Sequence, residues 1–280
     1  MKPWAVRRSW RVPSSTGEVV VMAALSCRLS DLEFVVAWAR MRMGTVPRPF
    51  VFTSRTPLLA DYRRERAEAA ERLRATWGSS LDDGLAAMAC PDIRVVITGW
   101  RGDERDPRCR IARLAVRSGD RGFVIDQEPG ETLWHSVAFT IIAVDALGLA
   151  EVVSRTLPEQ PAGSLGRLEP RHGDGFDHFY ATSPAHEPTY DHDADHWQRF
   201  AESRVSGAGV IEIEQGRSRF GPRGITRRRL EWRDLDRDGR YAIVTPDSRP
   251  VFEPVDRNRL AALINTEIAE VVRAIKDERV

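Results

Sequence analysis

Apolar positions along the chain change their period several times, and each change marks an element. The run Val19 to Cys27 is short, apolar and β-prone, and reads as a first strand. Ser30-Asp31-Leu32-Glu33 follows with capping-box spacing, in which the hydroxyl and the carboxylate each satisfy an orphan amide. Phe34, Val35, Trp38 and Met41 then share one helical face. Pro47 and Pro49 bracket a short extended segment to Thr53. From Pro57 to about Trp77 the spacing predicts a charged helix offering Leu58, Tyr62, Leu73 and Trp77 for burial. Gly78-Ser79-Ser80 interrupts it, and Leu81, Leu85 and Met88 start a shorter helix that Pro91 ends.

A β region comes next. Ile93 to Trp100, Arg110 to Arg117, Gly122 to Gln127 and Thr132 to about Thr140 are predicted strands, separated by turns carrying Gly102-Asp103, Gly119-Asp120 and Pro129-Gly130. Strands joined this tightly must be antiparallel, because a parallel crossover needs a dozen or more residues. A helix is predicted from about Val144 to Thr156. Pro158 to Pro188 is rich in Pro, Gly, His and Asp and breaks the pattern. A helix around Asp195 to Arg204 leads into strands at about Gly209 to Gln215, Ile225 to Asp234 and Arg240 to Thr245. The chain closes on its most regular stripe: Leu260, Leu263, Ile264, Ile268, Val271, Val272 and Ile275 recur at three- and four-residue steps. Strands followed by a helix occur twice. The expected class is therefore α+β, an antiparallel sheet with helices, with two related halves.

Composition narrows the function more than the fold. An apolar fraction of 42% over 280 residues is that of a globular chain with a sizeable core. The 42 Lys+Arg balance 41 Asp+Glu to a net charge of +1, which removes the strong field of a nucleic-acid coat. Only Lys2 and Lys276 are lysines, so 42 − 2 = 40 basic residues are arginines, a skew that points to a GC-rich genome rather than a mechanism. Cys27, Cys90 and Cys109 are odd in number and unclustered, which fits a reducing cytosol. Arg7 and Arg8 ahead of the apolar run ending at Cys27 resemble an export signal only superficially, since the run is short and Glu18 interrupts its approach. No stretch approaches the ~18 to 20 apolar residues of a membrane helix.

Four groupings invite chemistry. Five histidines fall between His172 and His196, and His192 and His196 are four apart, the spacing of two zinc ligands on one helix face. That segment is the basis of an alternative reading as a metal-binding module or metal-dependent hydrolase over 172–196. It lacks the glutamate of an HExxH helix, and a solvated polar loop accounts for it more simply. Asp234-Leu235-Asp236-Arg237-Asp238-Gly239 mimics the opening of a calcium loop, yet strand patterns flank it and Thr245 stands where the bidentate Glu belongs. Asp-Gly between β runs is a hairpin signal. The arginines from Arg217 to Arg240, with Trp232 and Tyr241, suggest base stacking and phosphate contact. In strands they divide between two faces, and Glu231, Asp234, Asp236 and Asp238 compensate them. No phosphate loop, nucleophile elbow or dinucleotide fingerprint is present in the sequence.

Three ordered signatures resemble the EspG family, cytosolic chaperones of actinobacterial type VII (ESX) secretion. The first is LSCRLSDLEFVVAWARM with Glu33, Phe34 and Trp38. The second is Leu157-Pro158-Glu-Gln-Pro161-Ala-Gly163. The third is Leu230-Glu-Trp232-Arg-Asp234 followed by Gly239-Arg240-Tyr241. The resemblance spans roughly residues 19 to 278. It implies a central antiparallel sheet flanked by helices in two pseudo-symmetric halves. It also implies a single domain over 19–280, with halves 19–157 and 193–280 joined by an extended segment 158–192; the N-terminal extension over 1–18 and the His/Asp-rich stretch 172–196 depart from it and have no clear counterpart in the family. The implied role is non-enzymatic, cytoplasmic and cofactor-free: binding the hydrophobic tip of a PPE protein in its PE–PPE heterodimer, without nucleic acid or membrane insertion. The client region it implies is the loop Trp100-Arg101-Gly102-Asp103-Glu104-Arg105-Asp106 together with the region around the last helix.

Overall fold

Alternation along the strands divides the chain's apolar side chains between two faces of one sheet. The computed structural model describes residues 24–77, 80–169, 192–245 and 250–279. Within them the strands are β1 (Ala24–Ser30), β2 (Ile93–Arg101), β3 (Arg110–Ser118), β4 (Arg121–Pro129), β5 (Ser136–Asp145), β6 (Val205–Gln215), β7 (Arg227–Leu235), β8 (Arg240–Val244) and β9 (Val251–Pro254). They form a nine-stranded sheet in the order β1-β5-β4-β3-β2-β6-β7-β8-β9. Every neighbouring pair is antiparallel. The helices are α1 (Asp31–Ala39), α2 (Leu59–Trp77), α3 (Ser80–Ala89), α4 (Leu149–Thr156), α5 (His192–Glu202) and α6 (Arg257–Asp277).

On one face Val96, Leu114, Ile125 and Phe139 pack against Phe34 of α1, Leu73 of α2 and Leu85 of α3. Phe34 stacks on Phe139 with ring centroids 4.0 Å apart, and Phe50 meets both edge-on. Such aromatic pairs add about 0.5–1.5 kcal/mol beyond their burial. On the other face Ile97, Val124, Ile211 and Trp232 pack against Val153 of α4 and Leu260 and Ile264 of α6. A third cluster joins Trp197 and Phe200 of α5 to Tyr241 and Phe252. Tyr241 alternates with Ala242, which faces α6, so α5 lies on the α3 side.

The chain thus runs twice through one order. It reads α3-β2-β3-β4-β5-α4 and then α5-β6-β7-β8-β9-α6. The halves meet where β2 pairs with β6, in a register centred on Ile97 opposite Ile211 and running from Ile93–Gln215 to Arg101–Gly207. An approximate two-fold axis through that pair exchanges them. β1, α1 and α2 are additions to the first half. This is the α+β, two-half architecture expected. No helix among the described residues is long and apolar enough to cross a membrane.

Local expectations hold best where short-range spacing sets the element. The box at α1 forms, with Glu33 N donating to Ser30 Oγ at 3.3 Å and Ser30 N donating to Glu33 Oε2 at 3.0 Å. Elsewhere boundaries move. Residues 132–135 belong to a turn, and β5 begins at Ser136 and runs on to Asp145 before α4 starts. β9 has four residues and a proline at its end, too short to signal itself, and exists because it pairs with β8. Leu58 stays 63% exposed, and Ala69 packs inward instead. The segment after Pro49 forms no strand; the buried Gln127 side chain binds Val51, its Nε2 donating to the carbonyl at 2.6 Å. Part of the expected first strand, residues 19–23, lies outside the described residues.

Trp232 illustrates how tightly the second face is filled. Its indole is buried across β6, and a Cβ on Gly209 would overlap the ring. Gly209→Ala is therefore expected to lower the unfolding free energy by about 1–3 kcal/mol. A urea titration followed by Trp fluorescence reads this as a lower midpoint with an unchanged slope.

Candidate functional site

The loop marked by the sequence lies at one end of the sheet, where β2 gives way to β3. Trp100 and Arg101 end β2, with Trp100 opposite Arg110 on β3 and Ala208 on β6. Trp100 is half-buried, residues 101–105 are exposed and Asp106 is half-buried. Gly102 turns the chain with a φ of 98° and donates its N–H to the Ser206 carbonyl at 2.8 Å. The Asp103 carboxylate accepts from Arg105 N, and that of Asp106 from Arg108 N, each at 2.9 Å. The loop is thus a self-stitched turn that leaves Arg101, Glu104 and Arg105 facing water. The helix that closes the chain, α6, lies across the sheet face rather than in this loop.

The signature residues from 157 to 163 and from 232 to 241, apart in sequence, converge on one buried clasp. Asp234 and Arg240, each 2% exposed, form a two-pronged ion pair: Arg240 Nε to Oδ1 at 2.6 Å and Nη2 to Oδ2 at 2.8 Å. The same Nη2 donates to the Pro158 carbonyl at 2.8 Å. Arg240 N donates to the Pro161 carbonyl, and Gly163 N to the Arg240 carbonyl. Tyr241 Oη donates to Asp238 and accepts from Leu165 N at 2.9 Å. Burial and the Asp238 carboxylate push the Tyr241 phenol up, so it stays a donor. Gly163 lies so close to the Tyr241 ring that a Cβ would overlap it, and a Cβ on Gly239 would strike the Pro161 and Ala162 carbonyls. Leu157 is buried in the sheet-face core beside Trp232. The first signature is likewise engaged within the chain: Glu33 pairs with Arg72 at 3.2 Å, and the Trp38 indole donates to the Thr45 carbonyl.

Two of the remaining groupings pair within the chain. The calcium-like run is the β7–β8 hairpin, and its first carboxylate is spent on Arg240. The arginines divide as alternation requires, Arg228 to Glu267 on α6 and Arg227 to Glu214 on β6. His196 lies on α5, half-buried; the side chain of His192 and the histidines from 172 to 186 lie outside the described residues. Among the described residues no group of three or more potential metal ligands gathers. The three cysteines are free, and burial pushes the Cys27 thiol up to about 11.

The same end of the sheet carries a feature that periodicity hid. The β4–β5 turn presents Leu133 and Trp134 at 54% and 67% exposure. Arg55 holds its base, forking onto Glu131 at 2.9 and 2.7 Å while reaching Asp31 at 2.7 Å. That fork, the main cause, draws the Glu131 carboxyl down to about 2. Thr132 Oγ1 bonds His135 Nδ1 at 2.7 Å. The Glu-Thr-Leu-Trp-His run resembled a strand start; only the short Pro129-Gly130 break hinted at a longer turn.

The structure is thus a nine-stranded antiparallel sheet in two related halves, with a clasped connection and an end presenting two loops. The EspG family model matches residues 30–266, and the chain belongs to that family. No curated protein gives a significant sequence match. Among solved structures, the Mycobacterium tuberculosis type VII secretion system chaperone EspG5, in complex with the PE25–PPE41 dimer, aligns with a TM-score of 0.52 at 13% identity. The alignment covers 87% of this chain and 96% of that one, and at this identity it shows the fold.

The clasp makes a quantitative prediction. Asp234→Ala leaves a guanidinium buried without its counterion and is expected to cost about 3–5 kcal/mol. Replacing both partners by apolar residues, Asp234→Leu with Arg240→Met, is expected to recover much of that loss. Denaturant midpoints of the three proteins check the order.

Proposed function

We propose that this chain is a cytoplasmic, non-catalytic chaperone of type VII (ESX) secretion. In this reading it binds the hydrophobic tip of a PPE protein in a PE–PPE heterodimer, keeps the pair soluble and directs it to one secretion system. The observation that carries the proposal is membership of the EspG family over residues 30–266, on a fold shared with a chaperone described in complex with a PE–PPE dimer. The whole of 19–280 acts as one unit in this role, its halves joined through 158–192.

The client surface we assign includes Trp100, Arg101, Gly102, Asp103, Glu104, Arg105 and Asp106. The physics suits an apolar tip. Trp100 supplies a half-buried aromatic base, and the exposed charges beyond it form the polar rim that orients a partner. No reaction is required: the gain comes from covering apolar surface that otherwise drives aggregation.

Co-expression with a panel of PE–PPE pairs tests the proposal. A client that is insoluble alone is expected to become soluble and to elute with the chaperone as a ternary complex. A panel of such pairs that stays insoluble, with no complex formed, contradicts it.

A further inference from the structure

The β4–β5 turn is held more firmly than a solvent-exposed connection requires. Arg55 fixes Glu131 from one side and donates to the Ser136 carbonyl at 3.0 Å from the other. Gly130 N donates to the His135 carbonyl at 3.0 Å, closing the base of the turn. From β3, Arg110 Nη1 donates to the Leu133 carbonyl at 3.0 Å. A rigid turn with Leu and Trp at its tip offers large apolar area at little ordering cost, the character of a binding hot spot.

Beside it lies a groove of about 490 Å³ between the sheet end and the end of α4, lined by Arg101, Arg108, Arg110, Arg113, Leu157 and others. Its two carboxylates are already engaged, Asp126 with Arg113 at 2.7 Å and Glu128 with Arg28. Among the described residues, Arg101, Arg108 and Arg110 have no carboxylate partner. Arg110 spends its donors on the Leu133 and Pro49 carbonyls, and burial lowers its pKa. The Nη1 of Arg113 is buried with no hydrogen-bond partner among the described residues. Buried donors without acceptors are rare and call for a partner. Arg110 joins the two features, lining the groove while holding the turn.

We infer that this turn and groove form one two-part receptor for the tip of a PPE client. Leu133 and Trp134 cover the tip's apolar residues, and Arg101 and Arg108 take the carboxylates flanking them. The inference rests on the chaperone reading and extends its surface from the β2–β3 loop across the sheet end to the β4–β5 turn. The charge of the groove selects the occupant, because an apolar tip bordered by acidic residues complements it, whereas an apolar tip bordered by lysines is repelled.

The test uses the full chain and a PE–PPE heterodimer that forms a complex with it, with affinity measured by calorimetry. Leu133→Ala/Trp134→Ala is expected to weaken binding by about thirtyfold or more. Arg108→Glu is expected to weaken it by about tenfold at low salt and by less at high salt. Leu147→Ala, 78% exposed at the opposite end of the sheet, is expected to bind as the parent does. All four proteins should share one melting temperature, since the altered side chains are exposed. If the parent forms a complex and the Leu133/Trp134 variant binds equally tightly, the inference is wrong while the chaperone reading stands. If no pair binds the parent, both fall. A variant that keeps its client but loses concentration-dependent self-association would show that the turn serves a second copy of this chain, and would overturn the inference.

Discussion

A carboxylate and a guanidinium removed from water each carry a penalty of several kcal/mol unless they answer one another, and Asp234 and Arg240 are removed almost completely. Their two-pronged pair leaves Arg240 donors for the Pro158 and Pro161 carbonyls, so the ion pair also fastens the chain leaving α4. That segment is where the first half hands over to the second. Tyr241 and Asp238 fasten it again at Leu165 and Ser164. The pair thus acts as a junction, tying the connection just after the buried Leu157 to the β7–β8 hairpin.

The junction matters because the sheet is built from two halves, joined along the β2–β6 ladder and through the packing of α4 against α6. An antiparallel pair related by a near two-fold axis places equivalent loops at opposite ends. One end therefore gathers the β2–β3 loop, the β4–β5 turn and the clasped connection after α4. The other gathers the β3–β4 turn and the exposed Leu147. In the proposed role the binding surface arises from topology, not from a pocket with reactive groups. The arginines illustrate the same economy: those with carboxylates beside them stabilise the sheet, whereas Arg101 and Arg108 at the presented end have no carboxylate partner among the described residues.

Much of the fold was legible because its signals are local. Ser30 and Glu33 mark α1 within four residues, the Leu260 to Ile275 stripe marks α6, and Asp238-Gly239 between β runs marks a hairpin. What escaped is set by distant partners. Arg55 shapes the turn at Glu131 from 76 residues away, which is why Thr132 to His135 read as strand. β9 depends on its neighbour rather than on its own four residues. The signatures 157–163 and 232–241 were visible as sequence, but their union was not, since Arg240 reaches Pro158 across 82 residues. For the site, the exposed loop 101–105 was legible as a polar turn. Leu133 and Trp134 were not, because a β-prone pair followed by Ser-Val-Ala-Phe has the pattern of a buried strand.

The central claim is that a partner is held at one end of the sheet. Hydrogen–deuterium exchange of the full chain, alone and saturated with a PE–PPE client, addresses it most directly. The account predicts that amides of the β2–β3 loop and of residues 130–137 slow on binding, while those of α2 and of the β3–β4 turn do not change. Protection confined to those latter elements, with both loops exchanging as freely as before, would contradict it.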